Sequence, residues 1–143
     1  MKCRIFIDRE HDEETLIYAH ERTKLVESIR ELIEENAFEL VGYMDREAVR
    51  LSLGDIHYFA VEDNRIYAQQ GSKKLQLRCR LYQLEEMLPE SFVKINQSCI
   101  ANIKSIERFD VSVSGSLLVR FKNGYTDCVS RRNMKNVKER LGL

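Results

Sequence analysis

Three clusters of basic, amide and hydroxyl side chains hold the chemistry that this sequence offers. The first is Asn64-Arg65, directly after the acidic pair Glu62-Asp63. The second is a polar corner of Lys94, Asn96, Gln97 and Ser98, which interrupts the apolar series Phe92, Val93, Ile95, Ile100 and Ile103. The third is Ser130-Arg131-Arg132-Asn133-Met134-Lys135-Asn136. Arginine forks onto O6 and N7 of guanine, and asparagine or glutamine pairs with N6 and N7 of adenine, so these residue types suit the reading of base edges. Serine, lysine and helix-terminal amides suit phosphate. Each cluster taken singly also fits a solvated turn. Three of similar chemistry point toward DNA, and the fold must bring them to one face.

Enzymatic constellations are missing from the sequence. His11, His20 and His57 have no nucleophile or carboxylate at motif spacing, and no phosphate loop, His-Glu-x-x-His or Gly-x-Ser-x-Gly occurs. His57 lies in an apolar strand pattern and reads as a packed histidine. The acidic residues of the first half lack the spacing of a calcium loop. Cys3, Cys79, Cys99 and Cys128 are scattered without a Cys-x-x-Cys pair, which argues against zinc or a disulfide framework. They are expected to be buried thiols in a reducing cytoplasm. The expectation is a non-enzyme with no metal, cofactor or small-molecule substrate.

The elements that must position the clusters follow from periodicity. Residues 3–7 alternate Cys3, Ile5 and Ile7 with charged neighbours except at Phe6, which breaks strict alternation, and residues 15–19 form a second apolar run, so both read as strands. Leu25, Ile29, Leu32 and Ile33 then mark an amphipathic helix with Thr23 as N-cap and glutamates opposite the stripe. That stripe must cover either the rest of the chain or a second subunit. From Phe38 onward short strands dominate: residues 40–43, 47–51, 56–61, 65–69 and 75–79. Leu81, Leu84 and Leu88 mark a short helix stopped by Pro89, the lone proline. After the polar corner come strands over 106–113, 117–121 and 125–129. Asn123-Gly124 predicts a type I′ hairpin, and Met134, Val137 and Leu141 mark a final helix. The fold class is mainly β, α+β overall, with a small β-β-α extension (residues 1–38) before a sheet-rich domain (residues 39–143).

Net charge is zero over 143 residues, but the halves differ. Residues 1–63 carry 8 Lys/Arg against 16 Asp/Glu, net −8, and residues 64–143 carry 15 against 7, net +8. A basic half is the electrostatic footprint of a nucleic-acid binder. The same asymmetry fits two halves that pair with each other, or a protein–protein interaction module that self-associates without DNA. No apolar run approaches the roughly 20 residues of a membrane-spanning helix, and the N-terminus lacks the apolar stretch of a secretion signal.

Several segments, in order, resemble the LytTR DNA-binding domain of bacterial transcription regulators. They are Ile56-His57-Tyr58-Phe59-Ala60-Val61-Glu62, then Leu81-Tyr82-Gln83-Leu84-Glu85-Glu86-Met87-Leu88-Pro89. Next come the most diagnostic run, Phe92-Val93-Lys94-Ile95-Asn96-Gln97-Ser98-Cys99-Ile100-Ala101-Asn102-Ile103-Lys104-Ser105-Ile106, and Val129-Ser130-Arg131-Arg132 before a helix ending in Leu141-Gly142-Leu143. The resemblance implies a multi-sheet β fold that reads two successive major grooves with loops and touches the minor groove between them. Carried over by position, Asn64 or Arg65 falls in the first reading loop and Asn96 with Gln97 in the middle one. Lys94 and Ser98 come near phosphates. Arg132 becomes the base reader of the C-terminal loop, with Ser130, Arg131, Asn133 and Lys135 beside it. Many members have histidine and a basic residue where this chain has Asn96 and Gln97, which lowers the phosphate attraction expected there. Residues 1–40 are too short for a response-regulator receiver, so the chain resembles the stand-alone kind. For that kind a homodimer and an inhibitory membrane partner protein are expected.

Overall fold

The computed structural model describes residues 2–12, 14–36 and 40–143. Its first regular element is α1 (Lys24–Asn36), which begins where the Thr23 hydroxyl accepts the Val26 N–H at 3.3 Å. Two antiparallel hairpins follow. The first is β1 (Leu40–Met44) with β2 (Glu47–Leu51), and the second is β3 (Ile56–Glu62) with β4 (Arg65–Gln70). Next come β5 (Lys73–Leu77), the short helix α2 (Leu81–Met87), β6 (Phe92–Asn96) and β7 (Cys99–Asn102). The chain ends with β8 (Ile106–Val111), β9 (Leu117–Phe121), β10 (Thr126–Cys128) and α3 (Arg131–Leu141). A seven-stranded sheet has the order β2-β1-β5-β4-β3-β7-β6, and a three-stranded sheet has the order β10-β9-β8.

Side-chain alternation explains why the central strands read as continuous apolar runs. On β3, Phe59 faces one core while Tyr58 and Ala60 face another. On β6, Phe92 divides in the same way from Val93 and Ile95, and on β7 Ile100 divides from Cys99 and Ala101. The first core lies beneath α2, where Leu84 is fully buried with Leu51, Leu53, Ile66 and Leu75. The second lies against the small sheet and α3, through Leu117, Val119, Phe121, Val129 and Val137. Strands buried on both faces lose the polar alternation of a half-exposed sheet. Gly42 is required by packing, since a Cβ there would stand 2.7 Å from the Leu75 Cβ. Asn102 is 2% exposed and satisfied internally, its Nδ2 donating to the Ile56 carbonyl at 2.8 Å and its Oδ1 accepting from the Lys104 N–H at 3.1 Å.

Three expectations from the sequence require correction. Residues 3–7 and 15–19 do not form strands: none of the described residues before α1 belongs to a ladder. Alternation supplies a strand's two faces but not its neighbour, and none of the described strands pairs with them. Asn123-Gly124 does not form a type I′ turn. The Phe121 carbonyl accepts the Gly124 N–H at 2.9 Å, only Gly124 has positive φ (91°), and the Tyr125 carbonyl accepts from the Phe121 N–H at 2.8 Å. This is a three-residue loop with glycine at its left-handed position. The type I′ pattern instead occurs at Asp63 and Asn64, with φ of 49° and 61°. Finally, only Cys99 is buried; Cys79 is half-buried, and Cys3 and Cys128 are exposed. The 38/39 boundary between extension and sheet-rich domain falls at residues outside those described.

Candidate nucleic-acid interface

Backbone hydrogen bonds gather the three polar clusters at one pole of the large sheet. β3 runs antiparallel to β7, and its Val61 N–H donates to the Ser98 carbonyl at 2.8 Å. The Asp63-Asn64 turn therefore projects from the same end as the Gln97-Ser98 turn joining β6 to β7. At the end of β6, the Ser130 N–H donates to the Ile95 carbonyl at 2.8 Å, which sets the start of α3 beside that middle turn. The other end of α3 is held as well, because Arg140 Nη1 donates to the carbonyls of Glu90 and Phe92 at 2.8 and 3.1 Å. With Val137 buried between these ties, α3 lies antiparallel to β6 and its first turn is fixed at the pole.

The predicted residues divide by what they already bond. Asn64, Arg65, Gln97, Ser98, Arg131, Arg132 and Lys135 are exposed, and no ion pair engages Arg131 or Arg132 among the described residues. Asn96 is half-buried and spends both ends of its amide internally. Its Nδ2 donates to the Cys128 carbonyl at 2.9 Å, and its Oδ1 accepts from the Ser98 N–H at 2.8 Å. It ties the tip of the middle loop to β10. Asn133 Nδ2 donates to the Ser130 hydroxyl at 2.7 Å, so this pair stabilises the entry to α3. Lys94 is set back from the loop tip, half-buried, with its ammonium 3.5 Å from Glu85. Gln97, Ser98, Arg131 and Arg132 are thus the side chains left facing outward from the two loops that meet at β6.

The charge of this pole is set by helix geometry as well as composition. α3 opens with Arg131 and Arg132, has no acid in its first turn, and Ser130 makes no side-chain cap bond. Positive side chains beside the positive end of a helix dipole are unfavourable in isolation, by about 0.3–1 kcal/mol, and an anion placed there reverses the sign. The thiol behind the middle loop is quiet: burial pushes Cys99 up, and the neighbouring Asp127 carboxylate pushes it the same way. Tyr125 is raised for the same two reasons, burial first.

One segment at this pole escaped the sequence reading. The β8–β9 loop, residues 112–116, is closed by the Ser112 N–H to Ser116 carbonyl bond at 2.9 Å and by Ser112–Ser114 hydroxyl contact at 2.8 Å. Leu117 beside it accepts from the Val129 N–H at 2.9 Å, so the loop neighbours the start of α3, with Val113 fully exposed. Its serines and glycine look like ordinary turn chemistry. Only the pairing of β9 shows where the loop ends up.

The arrangement matches known proteins in sequence and in fold. The family model described as the LytTr DNA-binding domain matches residues 46–142. The whole chain is similar to a Staphylococcus aureus (strain MSSA476) protein named an uncharacterized HTH-type transcriptional regulator, 32% identical over 146 residues that take in 100% of this chain and 99% of that protein. A protein of the same description from strain NCTC 8325 / PS 47 is similar at the same identity and coverage. A solved LytTr DNA-binding domain from Bacillus cereus superposes with a TM-score of 0.69 at 18% identity, covering 74% of this chain and 99% of that one. Although those relatives' names specify a helix-turn-helix, α2 and α3 here are separated by five strands, and no helix-turn-helix occurs among the described residues. With its diagnostic run forming the β6–β7 hairpin and its C-terminal signature docked beside it, the chain belongs to the LytTR DNA-binding domain family.

Proposed function

We propose that this chain is a bacterial, cytoplasmic transcription regulator that reads duplex DNA with the loop pole just described and acts as a homodimer. The observation that carries the reading is the convergence of the Asn64-Arg65, Gln97-Ser98 and Arg131-Arg132 clusters at one end of the sheet. Arg132 is the base reader of the C-terminal loop and Gln97 that of the middle loop. Asn64 and Arg65 enter the neighbouring groove. Ser98, Arg131 and Lys135 contact phosphate, and Lys94 adds positive charge behind them. Asn96, Ser130 and Asn133 hold the two loops in shape. Residues 1–38 act as an extension with a role separate from reading, and residues 39–143 as the reading domain.

The test is fluorescence anisotropy with a duplex from upstream of the protein's own operon, competed by scrambled duplex at two salt concentrations. Selective binding with a linear fall of log affinity against log salt is expected. An affinity that ignores both sequence and salt, on this and other promoter fragments, would overturn the reading. Two variants separate the roles. Lys135→Ala is expected to weaken all duplexes alike and to reduce the salt slope by about one, as loss of a single phosphate contact does. Asn96→Ala removes two internal hydrogen bonds of a half-buried amide. It is expected to lower stability by about 1–2 kcal/mol and to weaken binding without changing the salt slope. A changed slope would make Asn96 a phosphate ligand instead of a loop tie.

A further inference from the structure

Much of the exposed apolar surface of the described residues lies before β1, in residues that sequence periodicity marks as strand and helix. Ile5, Phe6 and Ile7 are 83%, 84% and 94% exposed, and Leu16, Ile17 and Tyr18 are exposed as well. On α1 the usual orientation is inverted. Its ionic face turns toward the body: Arg30 reaches Glu90 at 3.4 Å while also pairing with Glu27 and Glu34, and Glu31 meets Lys104 at 2.9 Å. The Leu25–Leu32 edge of its apolar stripe faces outward, 55% and 63% exposed, while Ile29 is half-buried. Of the sixteen large apolar side chains more than a third exposed among the described residues, nine lie in residues 5–33.

We infer that residues 2–36 of two copies fold together into one intermolecular unit. In it, residues 2–8 pair antiparallel with the same segment of the second copy about a two-fold axis at Ile5. In that register the two ends of the segment are complementary in charge. Lys2 stands opposite Asp8, Cys3 opposite Ile7, Arg4 opposite Phe6, and Ile5 opposite its own copy. Cys3, Ile5 and Ile7 of both copies then share one face, and Lys2, Arg4, Phe6 and Asp8 take the other. The segment also ends where the pairing must end. Asp8 accepts the Glu10 N–H at 3.0 Å and contacts His11 Nδ1 at 2.7 Å, and the chain bends over residues 9–11. Residues 15–19 flank the central pair as outer strands, and the outward α1 stripes cover the apolar face.

Two strands and one helix from a single copy make too small a sheet to stand alone. A two-stranded hairpin is marginal in water, and at least three strands with a covered apolar face are needed. Two copies supply four strands and two helices, which explains why one chain by itself leaves these residues without a ladder. The location suits a regulator. Glu90 and Lys104 flank the β6–β7 hairpin at the end away from Gln97-Ser98, so pairing there leaves both reading poles free.

This deepens the homodimer of the proposed function, and its test needs no DNA. Sedimentation of the full chain at micromolar concentration, combined with amide hydrogen exchange, is expected to show a dimer with residues 3–7 protected. Ile5→Asp with Ile7→Asp alters side chains that are exposed in the single chain, so its circular dichroism is expected to keep the β signature. The same variant is expected to sediment as a monomer and to lose protection at residues 3–7. A monomeric wild type would overturn the homodimer and this interface together. A dimeric wild type whose double variant remains dimeric, or whose residues 3–7 exchange freely, would overturn the interface alone. Salt-dependent DNA binding by either protein bears on the reading pole and leaves this outcome separate.

Discussion

Arg132→Ala is expected to weaken binding to the cognate duplex by about 1–3 kcal/mol, roughly 5- to 150-fold, while leaving nonspecific binding within a few-fold of wild type. The asymmetry follows from what the guanidinium supplies. As a phosphate ligand it would contribute to every duplex and to the salt slope. As a fork on one guanine it contributes only where that guanine stands. Its place on the first turn of α3 is rigid, because the Ser130 N–H is bonded to Ile95, Val137 is buried, and Arg140 holds the far end to Glu90 and Phe92. A rigid mount means that little side-chain or loop entropy is lost on binding, which raises the share of the contact energy that appears as specificity. The measurement is a set of duplexes substituted one position at a time, titrated with both proteins. A single position that loses its preference identifies the contacted base. Equal weakening at every position and a shallower salt slope would move Arg132 to the phosphate contacts.

The second large effect is on stability. Phe121→Ala is expected to cost about 3–5 kcal/mol, a substantial part of the ~5–15 kcal/mol total of an ordinary domain. Phe121 is fully buried, with its ring 4.7 Å from Tyr58 of the large sheet and 5.9 Å from Tyr125 in its own hairpin. It joins the two sheets, and the small sheet carries both the end of β10 that receives Asn96 and the residue that leads into α3. Truncation removes the aromatic contacts and leaves a cavity that strands held on both sides cannot close. The urea midpoint should fall accordingly with little change in the slope of unfolding, and Phe121→Leu should lose much less. DNA affinity of the alanine variant should recover on moving to conditions that restore folding. If Phe121→Ala shifted the midpoint no more than an exposed substitution, the joint between the sheets would lie elsewhere.

How much of this was legible beforehand differs between elements for identifiable reasons. The strand pattern from residue 40 onward, the stop of α2 before Pro89, the Thr23 cap and the α3 stripe are local properties, and the structure has them where periodicity and turn chemistry place them, with strand ends shifted by up to two residues, as at 73–77 for 75–79 and 106–111 for 106–113. The turn at Asn123-Gly124 failed because loop type depends on the register of the flanking strands. Here Gly124 serves as the left-handed residue of a three-residue loop. The N-terminal strands failed for a related reason. Residues 3–7 have much of the alternation of a strand, but a strand's backbone groups are satisfied only by a neighbour, and none of the described strands pairs with them.

The candidate site divides along the same line. Residue chemistry by itself determined the class of partner: arginines and amides at strand ends, a basic second half, and the run through residues 92–106 that resembles a DNA-reading family. Tertiary structure alone decided that the Asn64-Arg65, Gln97-Ser98 and Arg131-Arg132 clusters share a pole, that Asn96 is spent on Cys128 and Ser98, that Lys94 sits behind Glu85, and that the loop over residues 112–116 joins them. Side-chain type and spacing are written residue by residue. Whether a polar group faces outward or is consumed within depends on hydrogen bonds between segments such as Ile95 and Ser130, or Asn96 and Cys128, far apart in the chain. Those bonds form only when the sheets pack.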